Sequence, residues 1–331
     1  MRAMRLLEHA SIEARPLQSL NIARPEAGPG QLLVAVKACG ICHTDLHTVE
    51  GDIIPPALPV TPGHQVIGEV AEVGETVSGW KQGDRIGIAW LFSADGTCDF
   101  CQRGQENLCP NAEFTGFDRD GGYAEYVLAD PQYALKIPDG IDDLAAAPLL
   151  CAGIIGYRSL RQADLQPGER LGLVGFGASA HLAIQVARYW DCEVYVFTRS
   201  AGHRRLAAEL GASWVGGAED EQPEKLDRAV IFAPAGGLVP GILGKLRPGG
   251  TLAINAIYMS PIPEMPYDLI YEERTLRSVT NLTHQDGVEF LELAERIPVR
   301  AATVTYPLER ANEALIDLKH SAIDGAGVLQ I

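Results

Sequence analysis

The sequence predicts an α/β protein made of a β-rich domain followed by a doubly wound, parallel-sheet domain. Three observations carry this prediction. The chain has 331 residues, more than one simple core usually supports, so two domains are expected. Between residues 31 and 136 the apolar runs are short and broken by glycine and proline, the texture of strands joined by tight turns. After Cys151 apolar strands alternate with helical patterns, as they do in a parallel sheet with crossover helices.

In the first region the strand candidates are residues 31–37, 65–73, 85–90 and 123–128. Breakers such as Gly28-Pro29-Gly30, Gly79 and Gly83-Asp84 sit where turns would join them. In the second region strands are expected at 170–174, 193–198, 227–232, 250–257 and 276–279. Apolar residues at helical spacing mark 178–190, 203–210 and the shorter 239–246. From residue 287 two amphipathic helices follow, 288–296 and 308–319, and then a short apolar strand at 328–331. The expected division is therefore 1–149, 150–286, and a closing segment 287–331 that returns to the first domain. No internal repeat is visible.

Composition narrows the function classes. With 43 acidic and 27 basic side chains the formal net charge is −16, which repels phosphate backbones and anionic headgroups. Nucleic acid and membrane surfaces are therefore not expected partners. The longest apolar stretch, 144–157, is interrupted by Pro148, Gly153 and Gly156 and is shorter than the roughly 20 residues that span a bilayer. Residues 1–10 lead into no apolar signal core, so a cytoplasmic location is expected. Seven cysteines cannot all pair within one chain, and in a reducing compartment metal ligation becomes the leading reading.

Between the candidate strand 170–174 and the candidate helix 178–190 lies Gly175-Phe176-Gly177-Ala178-Ser179-Ala180. This is a Rossmann-type dinucleotide fingerprint with alanine in its third position. Gly175 permits the tight turn, Gly177 lets the backbone approach a pyrophosphate, and Ala180 lets the helix pack closely on the sheet. The helix N-terminus then offers free N–H groups and its positive dipole end to the phosphates. The next strand ends in Thr198-Arg199-Ser200, where an NAD site would place an acid on the ribose 2′-hydroxyl. A small hydroxyl beside a guanidinium, with Arg204 and Arg205 following, suits a 2′-phosphate. NADP(H) is therefore expected in preference to NAD(H).

Two clusters could hold metal. Asp95, Cys98, Cys101 and Cys109 lie within one loop, spaced D-x2-C-x2-C-x7-C. Four ligands so close together can wrap one tetrahedral zinc and leave no open position, which makes such a site structural. The bland alternative is three reduced surface cysteines. The other residues are dispersed: Cys39 and Cys42, then His64, and later Cys151. Spacing alone does not distinguish these from buried thiols and a core histidine.

Cys42-His43-Thr44-Asp45-Leu46-His47, Pro62-Gly63-His64, the cysteine loop, Gly121-Gly122-Tyr123-Ala124-Glu125-Tyr126 and Ala147-Pro148-Leu149-Leu150-Cys151-Ala152-Gly153 stand in one order along the chain. In that order they resemble the medium-chain zinc-dependent alcohol dehydrogenases over almost the whole length. The likeness is strongest to the cinnamyl-alcohol-dehydrogenase-like microbial branch. The resemblance implies a GroES-like catalytic domain beside the Rossmann domain. It implies a catalytic zinc on Cys42, His64 and Cys151, with Cys39 a bystander, and so two zinc ions per chain. Three protein ligands would leave one position for a substrate oxygen. Thr44 and His47 would release the proton by way of the cofactor ribose, and Asp45 would orient His64.

By the same resemblance Trp90 matches a pocket wall, although it also reads as an ordinary core tryptophan, and Ile257 and Tyr258 could form the opposite wall. The implied reaction is hydride transfer between a nicotinamide cofactor and a small primary aliphatic or aromatic alcohol or aldehyde, in a homodimer or homotetramer. The alternatives are a polyol dehydrogenase, against which Cys151 argues, and a zinc-stabilised nucleotide-binding scaffold, which leaves Thr44 and His47 unexplained. The chain departs from the family pattern at Gln65, where many relatives carry glutamate, and at Asp95, which takes a cysteine's place. It also lacks the ribose acid, and Gly325-Ala326-Gly327-Val328 lacks a phosphate-binding arginine.

Overall fold

The computed structural model describes residues 1–297 and 299–331. Its contacts divide the chain into two units. One comprises Met1–Ile154, Asn281–Arg296 and Arg300–Ile331; the other comprises Ile155–Thr280 and Ile297–Val299.

The second unit holds a six-stranded parallel sheet. Its strands stand in the order Trp214–Gly216, Glu193–Phe197, Arg170–Val174, Leu226–Ile231, Leu246–Ile254 and Thr275–Ser278. Numbered along the chain this is 3-2-1-4-5-6, the doubly wound order of dinucleotide-binding sheets. Val194, Tyr195, Val196 and Phe197 are buried in an unbroken run, as befits a strand covered on both faces. The strand order reverses between Arg170–Val174 and Leu226–Ile231, and in such sheets ligands bind beyond the strand ends at that point. The helix Ala178–Tyr189 starts there.

The third strand, Trp214–Gly216, escaped the sequence reading because three residues show no period. It forms because Tyr195, Val196 and Phe197 present an open ladder to it, and the Trp214 ring packs 5.0 Å from that of Phe197.

The first unit is built on a sheet ordered Thr303–Pro307, Ala326–Gln330, Leu32–Gly40, Gln65–Val73, Arg85–Ile88 and Leu135–Lys136, with Tyr126–Ala129 also paired to Leu32–Gly40. A small antiparallel pair, Arg2–Leu6 with Leu17–Asn21, adds to it. Leu32, Val34, Val66, Val70, Ile86, Val127 and Leu329 meet in one apolar core. Register matters most for the site. Gly40 lies opposite Gln65, so residues just beyond the two strand ends share one rim of the sheet. A Cβ on Gly40 would stand 2.9 Å from the Gln65 side chain, and glycine permits that approach.

Leu252 is fully buried in the core of the second unit, among Leu226, Leu246 and Ile242. Leu252→Ala is expected to cost about 2–5 kcal/mol, read as a lower urea midpoint for the transition of this unit with its m-value unchanged.

Candidate functional site

Cys42 follows the strand Leu32–Gly40 and is the N-cap of the helix His43–Glu50. An extended residue there, with an acid three positions on, is what opens a helix: Asp45 Oδ2 accepts from the Cys42 amide at 2.9 Å. His64 immediately precedes the strand Gln65–Val73. Cys151 follows the short turn Ala147–Leu150, whose Leu149 and Leu150 are fully buried. Sheet register and this buried turn thus bring three distant segments to one point. One ligand atom from each of Cys42, His64 and Cys151 lies within 4.8 Å of the others.

The Sγ atoms of Cys42 and Cys151 are 3.9 Å apart, close to the roughly 3.8 Å that two thiolates span on a tetrahedral zinc. His64 has no exposed surface. Its Nδ1 is 3.0 Å from Asp45 Oδ1, while its Nε2 is buried and has no hydrogen-bond partner. A buried donor or acceptor left so is costly, and a cation between this nitrogen and the two sulfurs would satisfy it. The residues present fit a zinc ion with three protein ligands and one open position.

Asp45 is 2% exposed. Beyond Cys42 and His64, its carboxylate accepts from the Gly63 amide at 3.1 Å and from the Tyr123 hydroxyl at 3.1 Å. Burial works against the His64 cation, but the charge and hydrogen bond of Asp45 outweigh it and lift His64 to about 10. Metal entry would displace that proton. A hydrogen bond from the Cys151 thiol, aided by His64 and opposed by burial, holds Cys42 well below the usual thiol range. The same contact, with burial, pushes Cys151 up.

Thr44 is buried on the first turn of the helix, its Oγ1 3.7 Å from Cys42 Sγ. His47 lies one turn on, with Nδ1 2.8 Å from Asp52 Oδ2. Trp90 is 7% exposed. Its ring meets His64 edge-on at 5.0 Å and stacks on Phe114 at 5.1 Å, so it stands beside the candidate metal ligands. Gln65 is buried on the far side of His64 in sequence, and Cys39 is buried in the apolar core.

The second cluster also comes together: ligand atoms of Asp95, Cys98, Cys101 and Cys109 lie within 4.8 Å of one another. Asp95 Oδ1 accepts from the amides of Thr97 and Cys98 at 2.8 and 2.9 Å, and Oδ2 accepts from Asn111 at 2.9 Å. The Cys98 amide, Asn111 and the Thr97 amide hold this carboxyl well below the usual carboxylate range, so it stays ionised. Burial, with the neighbouring Cys98 thiol, pushes Cys101 up to about 12.

In the second unit Gly175 turns at φ 85, a conformation glycine adopts at little cost. Space above Gly177 is open, with nothing within 4 Å of where a Cβ would stand. Gly177 is the N-cap of the helix Ala178–Tyr189, Ala178 and Ser179 lie in its first turn, and Ala180 is fully buried. Thr198 closes the strand Glu193–Phe197 and its carbonyl accepts from Arg204 Nε at 3.0 Å. Arg199 is exposed, and Ser200 caps the helix Ala201–Glu209 by accepting from the His203 amide. Ile257 and Tyr258 lie beyond the strand Leu246–Ile254 and are 49% and 51% exposed.

Comparison with known proteins decides the family. Residues 28–139 match the alcohol dehydrogenase GroES-like domain. The chain is 46% identical, over 100% of its own length and 97% of the relative's, to a probable alcohol dehydrogenase of Mycobacterium tuberculosis. The chain belongs to the medium-chain alcohol dehydrogenase family. An alcohol dehydrogenase of Geobacillus stearothermophilus is 36% identical over 96% of both chains. Among solved structures, a cinnamyl alcohol dehydrogenase of Sorghum bicolor superposes with a TM-score of 0.91 at 26% identity, covering 99% of this chain and 97% of that one. The alcohol dehydrogenase of Aeropyrum pernix gives a TM-score of 0.90 at 28% identity, covering all of both chains. A putative zinc-binding dehydrogenase of Sinorhizobium meliloti bound to NADP gives 0.87 at 27% identity, covering 100% of this chain and 99% of that one.

Sequence reasoning missed three contributors. Tyr123 lay in the noted Gly121–Tyr126 motif, but nothing in the sequence gave its hydroxyl to Asp45. Phe114 carries no signal of its stacking on Trp90. Asp52 follows Gly51, and that glycine was the available cue to a chain reversal. Tyr123→Phe removes one donor from a buried carboxylate and should cost about 1.5–3 kcal/mol, seen as a lower thermal midpoint with the fold retained by circular dichroism.

Proposed function

We propose that the chain is a zinc-dependent, NADP(H)-preferring oxidoreductase of small primary aliphatic or aromatic alcohols and aldehydes. The observation that carries this reading is the buried, unpartnered His64 Nε2 facing two thiol sulfurs, with the Thr44 hydroxyl alongside. Cys42, His64 and Cys151 would hold the catalytic ion, which when bound supplies Lewis-acid polarisation of the substrate oxygen. Thr44 Oγ1 takes up the hydroxyl proton as it gives up its own, and His47, whose side chain is 13% exposed, hands a proton to solvent. Trp90 offers the flat apolar wall for the substrate's carbon chain. Gln65 brings no charge to the ligand set, so any charge beside the ion comes from the thiolates and from Asp45 through His64.

Asp95, Cys98, Cys101 and Cys109 would hold a second, structural zinc, its loop already set by the Asp95 hydrogen bonds. The glycine loop and the N-terminus of the helix Ala178–Tyr189 would bind the pyrophosphate. Thr198, Arg199 and Ser200 offer hydroxyls and a guanidinium, without a competing carboxylate, to a 2′-phosphate. We place the enzyme in the reducing cytoplasm, in keeping with its seven free thiols, as a homodimer or homotetramer.

Metal analysis of never-chelated protein is expected to find two zinc ions per chain. Cys151→Ala should lose one of them and at least about a hundredfold in turnover, while a variant that keeps both zinc and rate would overturn the assignment. At equal concentrations NADPH should reduce a panel of simple aldehydes faster than NADH. A clear NADH preference would refute the cofactor reading and leave the rest standing.

A further inference from the structure

The loop that gathers Asp95, Cys98, Cys101 and Cys109 sets a carboxylate among three thiols, and a carboxylate poses a problem that a thiol does not. Its two oxygens offer about four acceptor positions, so it can swing, chelate through both oxygens, or spend its lone pairs on other donors. Oδ1 of Asp95 is already spent, since it accepts from the amides of Thr97 and Cys98 at 2.8 and 2.9 Å. Oδ2 accepts from Asn111 Nδ2 at 2.9 Å, which leaves this oxygen a further acceptor position. The Cys109 thiol stands within bonding reach of the carboxylate. Asn111 lies sixteen residues beyond Asp95 and touches the cluster twice, because its backbone amide also donates to Cys109 Sγ at 3.4 Å. The turn that places it is closed by the Ala112 amide on the Cys109 carbonyl at 3.2 Å.

We propose that Asn111 is a positioning residue that makes Asp95 a single-oxygen zinc ligand. The inference rests on a structural zinc in this loop, as proposed above. With Oδ1 held by two amides and Oδ2 held by the Asn111 side chain, the carboxylate cannot rotate to chelate, and Oδ2 is the oxygen left to face the thiols. Asn111 is neutral, so it orients the carboxylate without cancelling its charge, as a lysine or arginine there would. Three thiolates and one carboxylate put more negative charge on a divalent ion than it can balance. The N–H groups of Thr97, Cys98 and Asn111 disperse the excess through charge-assisted hydrogen bonds. A cysteine in place of Asp95 would have one ligand atom and would need no such hold.

The experiment follows zinc leaving the zinc-loaded enzyme for a pyridylazo dye that colours on binding it. The phase from this loop is the one that survives in Cys151→Ala. Asn111→Ala removes the side-chain donor, keeps the backbone amide on Cys109, and should release the loop's zinc about tenfold faster. Asn111→Asp keeps the shape, sets a second carboxylate against the first, and should release it faster still. Circular dichroism checks the fold of each variant, and Asn111→Ser, which shortens the donor, replaces either one that folds poorly. The deciding arm is Asp95→Cys, where adding Asn111→Ala should change the release rate by less than about twofold. A residue that merely stiffens the loop would speed release by the same factor in both backgrounds, and that result overturns the proposal. Native release from Asn111→Ala overturns it too, and leaves the structural zinc standing. If the native protein shows no zinc phase from this loop, the structural-zinc reading is wrong and the inference falls with it.

Discussion

A carboxylate shut away from water must find donors for its oxygens, because an unpaired buried charge costs several kcal/mol. Asp45 finds four: the amides of Cys42 and Gly63, the imidazole of His64 and the hydroxyl of Tyr123. They come from three parts of the chain: the helix start at Cys42, the adjoining Gly63 and His64 that lead into a strand, and the loop at Tyr123 that precedes another strand. The one acid therefore ties helix, turn and sheet together and holds the His64 ring with Nε2 presented to Cys42 and Cys151. The constraint is mutual, since none of the four donors can move without leaving either itself or Asp45 unsatisfied.

Such convergence requires backbones closer than side chains normally allow. Gly63 turns at φ 101, and a Cβ there would stand 2.4 Å from the Tyr123 ring. Gly121 approaches so closely that its Cβ would lie 2.1 Å from the Gly63 carbonyl oxygen. The Gly121-Gly122-Tyr123 run is thus explained by packing: two small residues let the loop in, and the tyrosine then reaches Asp45.

The parallel sheet was legible because inner strands such as Arg170–Val174 and Glu193–Phe197 carry buried, mostly apolar runs, and the glycine fingerprint named the strand and helix it joins. The helix His43–Glu50 was harder, since only Thr44, Asp45, Leu46, Thr48 and Val49 are buried along it and it has no clean apolar stripe. Its existence depends on its caps, Asp45 at one end and Gly51 at the other. The cysteine loop could be read from spacing alone because its ligands are neighbours in sequence. Cys42, His64 and Cys151 could not, because what unites them is a strand register and a buried turn, and only the resemblance to a known family grouped them beforehand. Edge strands such as Trp214–Gly216 and Thr303–Pro307 owe their form to a partner ladder and leave little trace in their own residues.

The strand Leu32–Gly40, which leads directly into Cys42, pairs on one side with Gln65–Val73 and on the other with Ala326–Gln330. Everything in the second unit is synthesised between those two partners. During translation the parallel-sheet unit can therefore complete its own core while Ala38, Cys39 and Gly40 of the first unit's central strand still lack the partner that Ala326–Gln330 will bring, Leu32–Ala35 being already paired with Tyr126–Ala129. Such an edge is prone to pair with another chain. The polypeptide spends that interval with its candidate metal pocket only partly supported, and its maturation waits on the arrival of one late strand.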